Sequence, residues 1–328
     1  MANVLPFPLR VQVIAHLVEG ASIRATARIC DVDKDAVMHL GARVGRGCLA
    51  LHDRIVRGVA MAIGEVDEVW AYVGRHEKRI RSTDPPEWGD AYTLFAVDAV
   101  TKLVPSFLTG RRDPQTALAF MLDLRRRLLG KPQLSVDGWI HWPEAVRRAF
   151  GFRGCDLGVV IKQYQHEASP DEVERKYSPG RIRHIEKEAL YGDPDIARIS
   201  TSLAERTNLT SRMGQRRLTR LTNAYSKKRE NLCAAMGLHF AHYNLVRVHE
   251  AIGTTPAVRA GVAEVPWSLA ELVRDALDAK PLPPPPVAPT PADPVTGEPL
   301  PTWETWEPPV QQTLLDVDAV GDARLTTP

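Results

Sequence analysis

The stretch "EVDEVWAYVG", residues 65–74, decides how this chain is read. Val66, Val69, Trp70, Tyr72 and Val73 favour a strand, and Gly74 ends the run. Two adjacent carboxylates, Asp67 and Glu68, stand in its middle. Side chains alternate along a strand, so Asp67 shares a face with Val69, Ala71 and Val73, whereas Glu68 shares the other with Val66, Trp70 and Tyr72. One acid must therefore face a core or a cleft, where an unpaired charge costs several kcal/mol. Asp67 is either a satisfied structural residue or a ligand, and partners elsewhere in the chain must decide.

Outward from this stretch the pattern is mixed α/β. "AYTLFAVDAV" (91–100) and "KLVPSFLTG" (102–110) read as further strands, followed by a helix at "PQTALAFMLDLRRRLL" (114–129) and a strand at "PQLSVDGW" (132–139). A short helix, "PEAVRRAFG" (143–151), and a strand, "DLGVVIKQY" (156–164), complete a β-β-β-α-β-α-β order. Residues 166–200 are polar, with Pro and Gly, and are expected to contain little core. Residues 9–58 and about 202–249 read as helical.

The first of these helical regions has a second pattern. Val11, Ile14, Leu17 and Val18 form one amphipathic stripe, ended by Gly20. Ser22 is an N-cap for a helix with Ile23, Ala27 and Ile29 inward, "CDVD" (30–33) is a tight turn, and Asp33 caps a third helix with Val37 and Leu40 inward. This is the spacing of a helix-turn-helix, in which the last helix enters the major groove of DNA. Lys34, His39, Arg43 and Arg46 are its candidate DNA contacts. The competing reading is a three-helix bundle that only packs, which Asp31, Asp33 and Asp35 favour.

Two more carboxylates join Asp67. Asp137 follows a short β-run and precedes Gly138, which places it at a strand end, where ligand-binding side chains of α/β sheets collect; an ordinary Asp-Gly turn is the alternative. Glu205 opens a segment that, wound as an ideal helix from Leu203, sets Glu205, Asn208, Arg212, Arg216, Thr219, Asn223 and Lys227 within an arc of about 100°. Leu203, Leu218, Leu221, Tyr225 and Leu232 fall opposite, with Gly214 a point at which this helix can break or bend. Between Glu205 and Glu230 there are eight Arg or Lys and no acid, which suits phosphate contact better than a merely solvated face. Arg212, Arg216, Arg217, Arg220, Lys227 and Lys228 are therefore candidate DNA contacts. Three carboxylates from a strand, a strand end and a following helix can converge on hard Mg²⁺ or Mn²⁺ ions, and two such ions serve in-line phosphoryl displacement.

Composition narrows the classes. The chain has 328 residues and a net charge of +2. Residues 281–328 hold seven acids and one base (Arg324), a net of −6, so the first 280 residues carry +8 and suit a polyanionic partner. The final segment begins with 12 prolines in 29 residues and is expected to be an extended acidic tail, with "TWETW" as a docking peptide or as incidental tryptophans. Cys30, Cys48, Cys155 and Cys233 form no C-x-x-C pair, so neither a disulfide framework nor a zinc site is indicated and a cytoplasmic setting is expected. No apolar run approaches the roughly 18 residues of a membrane span, and no signal peptide is read at the N-terminus.

"VDEVWAYVG" (66–74), "LSVDGW" (134–139), "ISTSLAERTNLTSRMGQRRLTRLTNAYSKK" (199–228) and "HYNLVRVHEAIGTTPAVRAG" (242–261) resemble insertion-sequence transposases of the DDE type, most closely the insertion sequence one family and its relatives. The resemblance runs from the N-terminal helices to about Leu272. It implies an RNase H-like catalytic domain, a mixed β-sheet flanked by helices, preceded by an all-α helix-turn-helix domain. The implied boundaries are 1–58, 59–275 with a polar insertion at about 166–200, and 276–328 for the proline-rich tail. The catalytic, metal-binding acids map onto Asp67, Asp137 and Glu205, and Asn208 and Arg206 support Glu205 or touch the DNA backbone.

The implied activity cleaves element ends and joins the 3′-OH to target DNA. It involves double-stranded DNA, a homo-oligomer and no membrane, with nucleoid association when DNA is bound. Two departures stand out: the cysteines of the zinc finger found in some family members are missing, and 67 residues separate Asp137 from Glu205, which leaves Glu186 and Glu188 as competing third acids. The alternatives are a transposase-derived DNA-binding protein without catalysis and an RNase H-like nuclease that cuts without joining.

Overall fold

A computed structural model describes residues 4–164, 182–220 and 222–280. The proline-rich tail, "TWETW" within it, Leu221, and residues 166–181 of the polar region lie outside the described residues. The N-terminal helices are α1 (Phe7–Val18), α2 (Ile23–Cys30) and α3 (Lys34–Ile55). A two-residue parallel pair, β1 (Val59–Ala60) with β5 (Leu128–Leu129), lies beside the main sheet elements β2 (Ile63–Val73), β3 (Gly89–Asp98), β4 (Ser106–Gly110), β6 (Gln133–Asp137), β7 (Asp156–Tyr164) and β8 (Ile182–Tyr191). Helices α4 (Pro114–Arg127) and α5 (Trp142–Phe150) intervene. Then follow α6 (Ser202–Gly214), α7 (Arg229–Ala241), α8 (Pro256–Arg259) and α9 (Leu269–Asp278).

The sheet order is β4-β3-β2-β6-β7-β8. β2, β3 and β4 form an antiparallel meander, β6 and β7 join β2 in parallel, and β8 closes the far edge antiparallel to β7. The β-β-β-α-β-α-β reading agrees with this order. β2 alternates as its sequence implies. Val66 packs with Phe120, Leu124 and Trp142 on the α4–α5 side, whereas Val69, Ala71 and Val73 pack with Ala204, Leu232, Met236 and Phe240 on the α6–α7 side.

The N-terminal hairpin of helices forms as capped. Ser22 Oγ accepts from the Ala25 amide at 3.1 Å, Asp33 Oδ1 accepts from the Asp35 amide at 2.7 Å, and Asp31 takes a left-handed conformation in the turn. Ile29, expected inward, is instead exposed, because Cys30 and Val32 close that end of the small core with Val13 and Val37. α3 continues for 22 residues, and its second half enters the main core. Val44, Cys48 and Leu51 share one cluster with strand residues such as Leu94 and Leu134 and with Leu272 and Ala276 of α9. A Cβ at Gly45 would collide with the Ala234 carbonyl of α7, and one at Gly47 with the Ala276 carbonyl of α9, so both crossings are backbone-close. The core therefore shows no gap at residue 58.

The polar region contributes one strand: Ile182–Tyr191 forms β8, whose backbone hydrogen bonds pair with β7 while its side chains stay mostly exposed, so no apolar pattern announced it. The basic segment is not one continuous helix. α6 stops at Gly214, Gln215 is extended and donates from Nε2 to the Ala235 carbonyl at 3.0 Å, and a 3₁₀ turn spans Arg216–Leu218 before α7 begins at Arg229. The carbonyl of Met213 rests against Gly20, where a Cβ would not fit, so tertiary contact sets the helix end.

Candidate metal centre

The position of Asp67 follows from strand register. Ile63 pairs with Gln133 and Glu65 with Ser135, after which the β2–β6 ladder ends. Extending the same offset places Asp67 level with Asp137, the last residue of β6. Both acids thus open into the notch where two parallel strands part. Asp137 is held there by its surroundings: Oδ1 accepts from the Trp139 amide at 3.1 Å and from Trp142 Nε1 at 2.9 Å.

α6 lies across this notch, and its N-terminus is fixed from β2. Glu65, only 5% exposed, accepts from the amides of Leu203 and Ala204 at 2.7 and 2.9 Å with one oxygen, Oε2. These are donors that a helix start leaves unpaired, and the negative charge also suits the positive end of the helix dipole. The N-cap residue, Thr201, makes no capping bond; its hydroxyl donates to Glu205 instead. With α6 fixed in this way, buried Asn208 donates from Nδ2 to Asp67 Oδ2 at 2.7 Å.

Among the described residues, Asp67, Glu68 and Asp137 form a group in which one oxygen from each lies within 4.8 Å of the others. Glu68 belongs to it although its side chain leaves the opposite face of β2. Arg112, just before α4, bonds Glu68 Oε1 at 2.7 Å and approaches Asp137 at 3.9 Å, with its guanidinium over Trp139. Burial pushes the Asp67 carboxyl up to about 7; the Glu68 amide that donates to it and nearby Lys162 resist, while Glu68 and Asp137 add repulsion. Burial and Asp137 also raise Glu68, opposed by Arg112. A cluster of half-buried acids that repel one another, opposed among the described residues by Arg112, Lys162 and Arg212, has the charge pattern of a cation site.

Two acceptor atoms here lack any donor: Glu68 Oε2 and Asn208 Oδ1 are both buried without a hydrogen-bond partner. An all-oxygen donor set with unfilled acceptors fits a hard divalent cation such as Mg²⁺ or Mn²⁺.

Glu205 stands one turn before Asn208 on the same side of α6, but its carboxylate is paired with Lys162 of β7 and with Thr201. Arg206 is exposed on α6. Glu186 and Glu188 pair with Ile161 and Val159 in the β7–β8 ladder, level with residues that pack toward α4 and α5, and are exposed. That is the sheet face opposite α6.

The basic candidates are divided. His39, Arg43 and Arg46 form an exposed stripe on α3, with Lys34 exposed at its start. Arg212 is half-buried, its pKa lowered by burial and by Arg220 and sustained by Asp67. Arg217 donates to Ser226 Oγ at 2.9 Å, and Arg220, Lys227 and Lys228 are exposed. Lys34, Arg216, Arg217 and Lys227 line one cleft of about 680 Å³ between the start of α3 and the segment after α6.

Sequence reasoning missed Glu65, Glu68, Arg112 and Lys162 as parts of this site. Glu65 and Asp67 share strand parity, which was a usable signal; Arg112 and Lys162 carried none. "HYNLVRVHEAIGTTP" proves largely architectural: Asn244, fully buried, clamps the Val104 backbone at 3.0 and 2.9 Å, and Thr255 caps α8.

No protein-family model matches the chain, and no curated protein matches it. Among solved structures it is similar to a piggyBac transposase synaptic complex with hairpin DNA, at 11% identity over 78% of this chain and 56% of that one, with a TM-score of 0.26. It is also similar to a Mos1 transposase paired-end complex with the left transposon end, at 14% identity over 48% and 60%, with a TM-score of 0.18. The chain thus spans less than two thirds of either solved chain, and at these scores the likeness carries no weight for mechanism. No described helix is long and apolar enough to cross a membrane.

Proposed function

We propose that this protein is a DDE-type DNA transposase with an RNase H-like catalytic domain, in which Asp67, Asp137 and Glu205 serve divalent-metal-dependent phosphoryl transfer. The observation that carries the reading is the meeting of Asp67 and Asp137 at level positions on adjacent parallel strands, beneath the helix that bears Glu205 and Asn208. The sheet supports it too. A three-strand antiparallel meander, with two parallel crossover strands added beside its first strand, is the arrangement expected of an RNase H-like sheet.

Asp67 and Asp137 would hold the ion, and Asn208 fixes the Asp67 carboxylate through its amide. A bound Mg²⁺ or Mn²⁺, one or two ions, would sharpen the attacking oxygen and stabilise the leaving one. In the first displacement a water oxygen bonds to phosphorus as the bond to the 3′ oxygen breaks, freeing a 3′-OH. In the second, that hydroxyl attacks a target phosphodiester and displaces another 3′ oxygen. Lys162, beside Glu205 and near Asp67, offers positive charge to the phosphate. Residues 1–58 would bind the element ends through Lys34, His39, Arg43 and Arg46, and the cleft lined by Arg216, Arg217 and Lys227 would extend that contact along the backbone. Joining two ends in one event calls for a homo-oligomer.

One observation favours the second reading, a transposase-derived DNA-binding protein: Glu205 is engaged by Lys162 rather than by the acids. The test is cleavage and strand transfer on labelled duplexes carrying the DNA that flanks the gene, with Mg²⁺ or Mn²⁺, for wild type and Asp67→Asn, Asp137→Asn and Glu205→Gln. Joining by wild type, lost in each variant while duplex binding persists, is expected. Duplex binding without cleavage by wild type would establish the second reading.

A further inference from the structure

Glu68 has no role in the three-acid site, yet it stands in one group with Asp67 and Asp137. Its side chain is 10% exposed, one of its oxygens is buried with no partner, and it offers a ligand oxygen within 4.8 Å of those of Asp67 and Asp137. Glu205 offers none to that group; one of its oxygens, Oε1, is held by Lys162 and Thr201. An independent sign comes from α6, where Asn208, 6% exposed and bonded to Asp67, leaves its own Oδ1 buried without a donor. Burying these two acceptor oxygens, Glu68 Oε2 and Asn208 Oδ1, with no donor to either is costly unless a cation completes them.

Strand geometry explains how adjacent residues reach one point. Asp67 and Glu68 leave opposite faces of β2, but the β6 ladder has already ended at this level. Both side chains can therefore turn into the same notch around the edge of β2, Asp67 from the α6 side and Glu68 from the Arg112 side. Arg112 lies against Glu68 and Asp137 together, so it would compete with a metal cation for both.

We propose that Glu68 is a metal ligand, completing a cage with Asp67 and Asp137, and that Glu205 lies outside this cage. The inference rests on the metal-dependent reading above and changes which residue closes the site.

The test is Mn²⁺ binding to the full chain without DNA, followed by loss of the free-ion electron paramagnetic resonance signal. Removing a ligand should weaken binding at least as much as losing a supporting residue does, about tenfold or more; this is expected for Glu68→Gln, Asp67→Asn and Asp137→Asn. Glu205→Gln acts only through space, a loss of about threefold or less. Arg112→Met removes the competing cation and should tighten Mn²⁺ binding, an outcome that misfolding cannot produce. Wild-type-like Mn²⁺ affinity in Glu68→Gln, with a tenfold or greater loss in Glu205→Gln, overturns the inference and leaves the three-acid site standing. If wild type fails to bind Mn²⁺, or Asp67→Asn binds it unchanged, the inference and the metal-dependent reading both fail.

Discussion

Replacing Glu65 by alanine tests whether β2 positions the helix that completes the site. Glu65 Oε2 accepts two amide hydrogens, from Leu203 at 2.7 Å and Ala204 at 2.9 Å, at the second and third positions of α6. Hydrogen bonds to a charged group contribute about 1.5–3 kcal/mol each, and a carboxylate at a partly buried helix start adds up to about 2 kcal/mol. These contributions overlap, and alanine also relieves the desolvation of a buried charge, so the expected loss is about 3–4 kcal/mol rather than their full total. Glu65→Gln keeps an acceptor but not the charge and should cost about 1–2 kcal/mol.

Urea unfolding followed by circular dichroism gives the global loss, and amide hydrogen exchange at residues 203–206 locates it. Exchange there should rise sharply in the alanine variant while the strands keep their protection. A loss below about 1 kcal/mol for Glu65→Ala, or equal losses for alanine and glutamine, would refute the account of Glu65 as the cap of α6.

Gly45→Ala should lower Tm by several degrees, because a methyl group against the Ala234 carbonyl forces α3 from α7 at about 1–3 kcal/mol, more than the roughly 1 kcal/mol that alanine adds as a helix former; a higher Tm would mean that the helices do not touch there. Two buried histidines should also cost stability in acid. His52, bonded through Nε2 to the Val104 carbonyl at 3.1 Å, is pushed by burial and Arg127 from its ordinary 6.5 to about 4, and burial drives His239 from 6.5 to about 3. Neutral in the fold and charged when unfolded, each adds stability that is complete above about pH 6.5 and is lost as pH falls through that folded value, up to about 3 kcal/mol for His52. Asp67, whose carboxyl burial raises to about 7, acts in the opposite sense over the same range. The check is therefore the drop in urea midpoint from pH 7.5 to 5 in wild type against His52→Gln: a smaller drop in the variant is expected, and equal drops would refute the role of His52.

Periodicity alone determined that Asp67 faces one side of β2 and Glu68 the other, that Asp137 ends a strand, and that Ser22 and Asp33 start helices. Each depends on neighbours two to four residues away, which is the range over which strand alternation and capping act. The order of strands and helices was legible for the same reason. The site itself was not. Asp67 and Asp137 meet because β2 and β6 pair with one particular register and then part, and no local pattern records where a parallel ladder stops.

Tertiary contact also ended α6 at Gly214, where Gly20 receives its last turn, so the even run of basic residues, continuous in sequence, was divided between a helix, a 3₁₀ turn and an irregular segment. It made β8 from residues with no apolar pattern, since an edge strand needs only backbone partners. And it paired Glu205 with Lys162 while bringing Glu68 to the acids. Charges distant in sequence settle by which backbone positions approach closely enough to bury them together, a property of the packed fold and not of any segment.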